Sequence, residues 1–249
     1  MKLSTDGKIL LQVDNQDIDS DGNFKFPNDI TTIGESAFEE CTNLKKLVIP
    51  SHITDIKKFA FWNCTQLKNV VLPKNLTKIA KCTFNGCTSL ETVRIPPNVT
   101  VIGKGAFYNC RSLKNIILPE KVTKIGRGAI HTCPNLEAVF ISKNIVSIGH
   151  EVFDDCENLK SIFTDGNDTE IEKLKSLFVL YKFAIKVASI NRADKEFLAL
   201  YDIHTNKTSQ ANSPVLFFKE NKNLAEGNNK SDKNPENLFD ELPNCSTFP

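Results

Sequence analysis

Apolar residues return along this chain at a fixed interval of 23 positions. One column holds Leu44, Leu67, Leu90, Leu113, Leu136 and Leu159, and another holds Ile33, Ile56, Ile79, Ile102, Ile125, Ile148 and Ile171. Three residues before each of those leucines stands a cysteine: Cys41, Cys64, Cys87, Cys110, Cys133 and Cys156. A period of this length marks one supersecondary unit copied along an axis. Each copy is too small to bury its own apolar face and stacks on its neighbours.

Within the unit, Val93 and Ile95 alternate with Arg94, which is the pattern of a strand with one buried face, and Pro96 ends it. Because successive copies run the same way, these strands are expected to stack in parallel at ~4.8 Å. Val99 to Gly103 predicts a second, shorter extended segment. Ala106, Phe107 and Cys110 then predict a helical turn, with Gly103, Gly105, Gly126 and Gly128 easing the corner between them. Thr31, Thr54, Thr77, Thr100 and Thr123 form a column that reads as a hydroxyl ladder bonding along the stack.

A degenerate copy begins at Ile18 and keeps Phe24, Phe26, Pro27, Ile30, Ile33 and Phe38, so residues 1–17 read as an N-terminal cap strand. The array itself spans residues 18–168, about seven 23-residue coils. Thr169 to Glu172 offers a capping box, followed at helical spacing by Ile171, Leu174, Leu177, Phe178, Tyr181, Ala184, Ile185 and Ala188. A second helix is expected from Asn191, with Phe197, Leu198 and Tyr201 on one side. Residues 169–203 thus predict a helical cap over the open end of the stack. Residues 204–249 are rich in Asn, Lys, Ser and acidic side chains, a composition that predicts disorder, interrupted by apolar islands at Val215 to Phe218 and at Leu238-Phe239. Those islands read either as partner motifs or as contacts back to the cap.

The unit Leu-x-x-(Val/Ile)-x-(Ile/Leu)-Pro, continued by Val-Thr-x-Ile-Gly and Ala-Phe and closed by Cys, resembles the BspA-type leucine-rich repeat from Ile18 to about Ile171. That resemblance implies an α/β solenoid: a right-handed coil with a parallel strand ladder, short helical turns and a C-terminal helical cap. The family includes bacterial surface adhesins, proteins of unicellular parasites and effectors of intracellular bacteria, so the resemblance implies binding rather than catalysis. The leading expectation is a protein-interaction module, in the form of an effector acting on a host protein. The alternatives are a cell-surface adhesin and the binding domain of an enzyme whose catalysis lies in the C-terminal region.

Bulk composition adds exclusions. With 40% apolar residues and a formal charge of +1, the chain has no global bias toward nucleic acid or acidic lipid. The run Ile9 to Val13 is too brief for a secretory h-region, and Leu177 to Ile190 is broken by Lys182 and Lys186 and shorter than the ~20 residues of a membrane span. The ladder cysteines point the same way in successive coils, so they read as small buried hydrophobes in a reducing compartment and not as disulfides or metal ligands. These readings place the protein in a cytoplasm or, by a non-classical route, in a host cytosol, with the cell surface as the alternative. Glu236, Asp240 and Glu241 ahead of Phe248-Pro249 resemble the acidic secretion signals of some translocated effectors.

Candidate chemistry is sparse. Asp17, Asp19, Asp21 and Gly22 match the front of a calcium loop, but the twelfth position is Asn28 where a bidentate Glu is required, so an acidic turn is the better reading. The sequons at Asn63, Asn75, Asn98, Asn167, Asn206, Asn229 and Asn244 are the frequency expected of an Asn- and Thr-rich chain. His52, His131, His150 and His204 fall in unrelated columns, so no enzyme activity, cofactor or metal is expected.

Two surface ladders stand out. Val48, Val71, Arg94, Ile117, Phe140 and Phe163 fill an outward column of the strand that should be polar, and they are the expected partner-binding residues. Lys58, Lys81, Lys104, Arg127 and His150, flanked by Lys78 and Lys124, make a basic stripe that either holds an acidic partner or keeps the solenoid edge soluble.

Overall fold

The computed structural model describes residues 1–177 and 186–189. The repeats wind into a parallel β-solenoid of about seven turns around one continuous apolar core. Each coil contributes to three walls, and each wall has its own set of hydrogen bonds between coils.

The first wall is the strand predicted before the proline. Lys46–Val48, Asn69–Val71 and Thr92–Arg94 form one parallel sheet, and Asn115–Ile117, Ala138–Phe140 and Ser161–Thr164 continue it in a second. Pairing is strictly 23 residues apart, as in Leu47 opposite Val70 and Ile116 opposite Val139. The second wall is the shorter strand, seen at Thr32–Ile33, Asp55–Ile56, Lys78–Ile79, Val101–Ile102, Lys124–Ile125 and Ser147–Ile148. At its N-terminal end a hairpin of Lys2–Leu3 and Ile9–Gln12 pairs in parallel with Thr32–Ile33 and occupies the edge that the first coil would otherwise leave open.

Glycine sets how closely these coils approach. A Cβ on Gly126 would lie 2.5 Å from the Lys104 backbone nitrogen, and one on Gly103 would lie 2.6 Å from the Ala80 carbonyl carbon. Pairing along this wall lapses between Ile56 and Ile79. That is the one step at which both residues of the glycine column, Lys57 and Ala80, carry a Cβ. Gly126→Ala is therefore expected to destabilise the array by about 2 kcal/mol or more, because backbone and not a side-chain tip must move. Equilibrium denaturation measures it, and a loss under about 0.5 kcal/mol contradicts the close-approach role.

The third wall differs from the expected helical turn. Residues 104–109 and their equivalents form consecutive turns with no α-helix, because each coil places two residues in the left-handed region. One column of these is Glu40, Asn63, Gly86, Asn109, Thr132 and Asp155, and the other is Ser36, Phe59, Cys82, Gly105, Gly128 and Glu151. That geometry turns alternate N–H groups toward the next coil: Phe38 donates to Ala60, Phe61 to Thr83, Phe84 to Ala106 and Phe107 to Ala129, at 2.7 to 2.9 Å. A helix would spend those groups internally and leave the coils unlinked.

At the C-terminal end a helix runs over Asp168–Leu177. Its capping box is Asn167 with Glu170, two residues earlier than the sequence suggested: Asn167 N–H donates to Glu170 Oε2 at 2.7 Å and Glu170 N–H to Asn167 Oδ1 at 3.1 Å. The expected continuation of helix to Ala188 is corrected, since Lys186–Ser189 is a strand paired in parallel with Ser161–Thr164. An unpaired strand edge offers a row of backbone partners that a single amphipathic helix cannot satisfy. The second expected helix and the polar tail lie outside the described residues.

Candidate functional site

The interior is built from ladders of like residues, and each explains a column of the repeat. Phe38, Phe61, Phe84 and Phe107 stack with ring centroids 5.0, 5.3 and 5.5 Å apart. Beside them run the six cysteines, all buried and free. They are more than small hydrophobes. Each thiol donates to a carbonyl of the preceding coil, Cys41 to Val13 and the other five to the residue 26 positions earlier: Cys64 to Phe38 at 3.0 Å, Cys87 to Phe61 at 3.2 Å and Cys110 to Phe84 at 3.2 Å. Burial pushes the thiols of Cys41, Cys64, Cys87, Cys110 and Cys133 up, Cys41 to about 12, so these five stay protonated and keep donating. Such thiols do not report a reducing compartment, because parallel buried side chains cannot pair in any compartment. Cys82 stands outside this ladder on the third wall, buried, with its Sγ 3.7 Å from the Lys104 carbonyl oxygen. Its place off the 23-residue column is the sequence signal that sets it apart.

The hydroxyl ladder is present where Thr100 Oγ1 donates to Thr77 O at 3.2 Å and Thr123 Oγ1 to Thr100 O at 3.4 Å. The acidic segment near Asp19 is a closed turn: its Oδ1 accepts the N–H groups of Asp21 at 3.0 Å and Asn23 at 2.8 Å, which hold its carboxyl below the ordinary range. Among the described residues no cluster of three or more His, Cys, Asp or Glu is placed to hold a metal.

The strand-face column is brought together in register, Val48 beside Val71 beside Arg94, then Ile117 beside Phe140 beside Phe163. Its two halves have different surroundings. Val48 is 45% exposed, and Val71 and Arg94 are half-buried. Ile117 and Phe140 are each 2% exposed and Phe163 is 7%, so the expectation of an open apolar strip is corrected at these three. Their inward neighbours Ile116, Val139 and Ile162 are also buried, which makes the C-terminal half of this wall a sheet buried on both faces. The open half carries polar neighbours at Asn69 and Thr92, and Thr92 Oγ1 is buried with no hydrogen-bond partner among the described residues.

The basic stripe is also assembled, along one corner, but its ends are neutralised. Lys58 Nζ lies 3.0 Å from Glu35 and 5.8 Å from the Phe59 ring centroid. Arg127 pairs with Glu151 through two bonds of 3.1 Å, which hold the Glu151 carboxyl below its ordinary range. Lys81 and Lys104 are half-buried between them.

Parallel coils of 23 residues with a strand on one wall and hydrogen-bonded turns on another define a leucine-rich repeat solenoid. The BspA type leucine-rich repeat region matches residues 18–104 and 81–191 in six copies, and the chain belongs to that family. Among solved structures it is similar to a leucine-rich repeat protein from Bacteroides ovatus, with 30% identity and a TM-score of 0.54 over 65% of this chain and 41% of that one. It is also similar to the T. pallidum leucine-rich repeat protein, with 25% identity and a TM-score of 0.52 over 75% of this chain and 95% of that one. The chain thus spans about two fifths of the Bacteroides ovatus protein's length. No curated protein matches it. Among the described residues no helix is long and apolar enough to cross a membrane.

Proposed function

We propose that the protein is a binding scaffold without catalytic activity, and that it recognises a protein partner through the open half of its strand wall. The observation that carries this reading is the juxtaposition of exposed Val48 with half-buried Val71 and Arg94 and the unpartnered hydroxyl of Thr92. An apolar anchor, a guanidinium and an unsatisfied buried polar atom on a rigid sheet are the ingredients of an interface core. Ile117, Phe140 and Phe163, buried in the same column, continue the sheet beyond this surface.

A photoreactive side chain at Val48 is expected to yield a partner adduct, while the same group at exposed Lys74 yields none. The double variant Val48→Asp, Arg94→Glu should keep the wild-type melting temperature and weaken partner affinity by roughly 2 kcal/mol or more. Retention of full affinity by a folded double variant contradicts the proposed face.

A further inference from the structure

The second wall carries a charge imbalance that the repeat pattern does not require. Its middle is formed by residues 74–81, 97–104 and 120–127 of three consecutive coils, and these segments hold six lysines and Arg127 against a single acid, Glu120. The whole chain carries a formal charge of only +1, so the excess is local. At its borders the cations are matched: Lys57 lies 2.6 Å from Asp55, Lys58 3.0 Å from Glu35 and Arg127 3.1 Å from Glu151. Between these pairs, Lys78, Lys104 and Lys124 have no ion pair among the described residues.

The fold arranges this charge in rows. Strands Lys78–Ile79, Val101–Ile102 and Lys124–Ile125 pair in register, so exposed Lys78 and Lys124 flank Val101 and stand two coils apart, roughly 10 Å. One residue earlier runs the threonine ladder, in which Thr100 Oγ1 donates to Thr77 O and Thr123 Oγ1 to Thr100 O. Each hydroxyl that donates along the stack keeps its oxygen lone pairs for an incoming donor. On the far border Lys121 Nζ is held 2.8 Å from Asn98 Oδ1.

We propose that the middle of this wall binds an acidic polysaccharide laid along the stack, its anionic groups on the lysine rows and its hydroxyls on the threonine row. This surface is separate from the strand wall and does not depend on the partner proposed there. Other polyanions suit it less well. A nucleic-acid strand needs rings to stack on, and the three segments contain no aromatic side chain. A polybasic patch holds a membrane stably only with a second, apolar anchor, and Leu76, Ile79, Val99, Ile102, Val122 and Ile125 of these segments are all core.

The test uses the full chain and immobilised heparin as the probe. Wild type is expected to bind at low ionic strength and to elute as salt screens the lysines. Lys78→Ala with Lys124→Ala should weaken binding about tenfold at an unchanged melting temperature, whereas Lys45→Ala with Lys160→Ala, which removes the same charge from exposed positions off this wall, should stay within about twofold of wild type. Restoring the charge with Lys78→Arg and Lys124→Arg should restore binding. Equal weakening by the two alanine pairs overturns the assignment of the site to this wall. Failure of wild type to bind heparin, or tighter binding to polyglutamate or to phosphatidylserine vesicles than to heparin, overturns the polysaccharide.

Discussion

Replacing Phe84 by alanine is expected to destabilise the protein by about 3–5 kcal/mol, among the largest effects a single truncation can have here. The ring is fully buried and lies between two near-parallel neighbours, at 4° to Phe61 and 8° to Phe107. Its loss opens a cavity that touches three coils. The Phe84 carbonyl also accepts the Cys110 thiol at 3.2 Å, and its N–H donates to Ala106 O at 2.9 Å, so movement of this backbone to fill the cavity would break bonds on both sides. A solenoid is held by nearest-neighbour interfaces, and a central coil belongs to two of them. Phe153→Ala, near the end of the array, should cost less. Urea denaturation of the two variants and the wild type reads the difference, and a loss at Phe84 below about 1 kcal/mol contradicts the stacked-core account.

Much of this fold was legible because a repeat states the same sentence many times. The 23-residue period identified coils, the alternation at Lys46-Leu47-Val48 identified a strand with one buried face, and Pro50 marked its end. The third wall was misread as helical because Ala106, Phe107 and Cys110 have helical spacing. The contrary signal was local: Asn63, Gly86, Asn109 and Asp155 share one column, and these residue types tolerate a left-handed backbone. The donor role of the ladder thiols was not legible, because a buried cysteine column has the same pattern whether or not a carbonyl lies within reach. Lys186–Ser189 was read as helix because its neighbours carry helical periodicity, while the edge of Ser161–Thr164 that recruits it is a tertiary feature.

The candidate site was half legible. Its register was legible, and the burial of Ile117, Phe140 and Phe163 was not. Alternation fades along the array: Asn69-Val70-Val71 gives way to Ile116-Ile117-Leu118 and then to Ala138-Val139-Phe140-Ile141. A continuous apolar run is what a parallel strand carries when both faces are covered, and that reading was available beside the interaction patch.

This division of one wall predicts opposite outcomes for the same substitution in one column. Phe140→Asp places a carboxylate where the native ring is 2% exposed, between Ile117 and Phe163 in the ladder. It removes a buried aromatic and adds a charge with no partner, so a destabilisation of about 4 kcal/mol or more is expected. Val48→Asp puts the same carboxylate at a residue 45% exposed, beside Lys46 on the strand's outward side, and should change stability by less than about 0.5 kcal/mol. Equilibrium unfolding of these two variants side by side tests most directly where the free recognition surface lies. Collapse of Phe140→Asp with an unperturbed Val48→Asp is the predicted result, and equal, near-wild-type stability of both would show that the wall is open along its whole length.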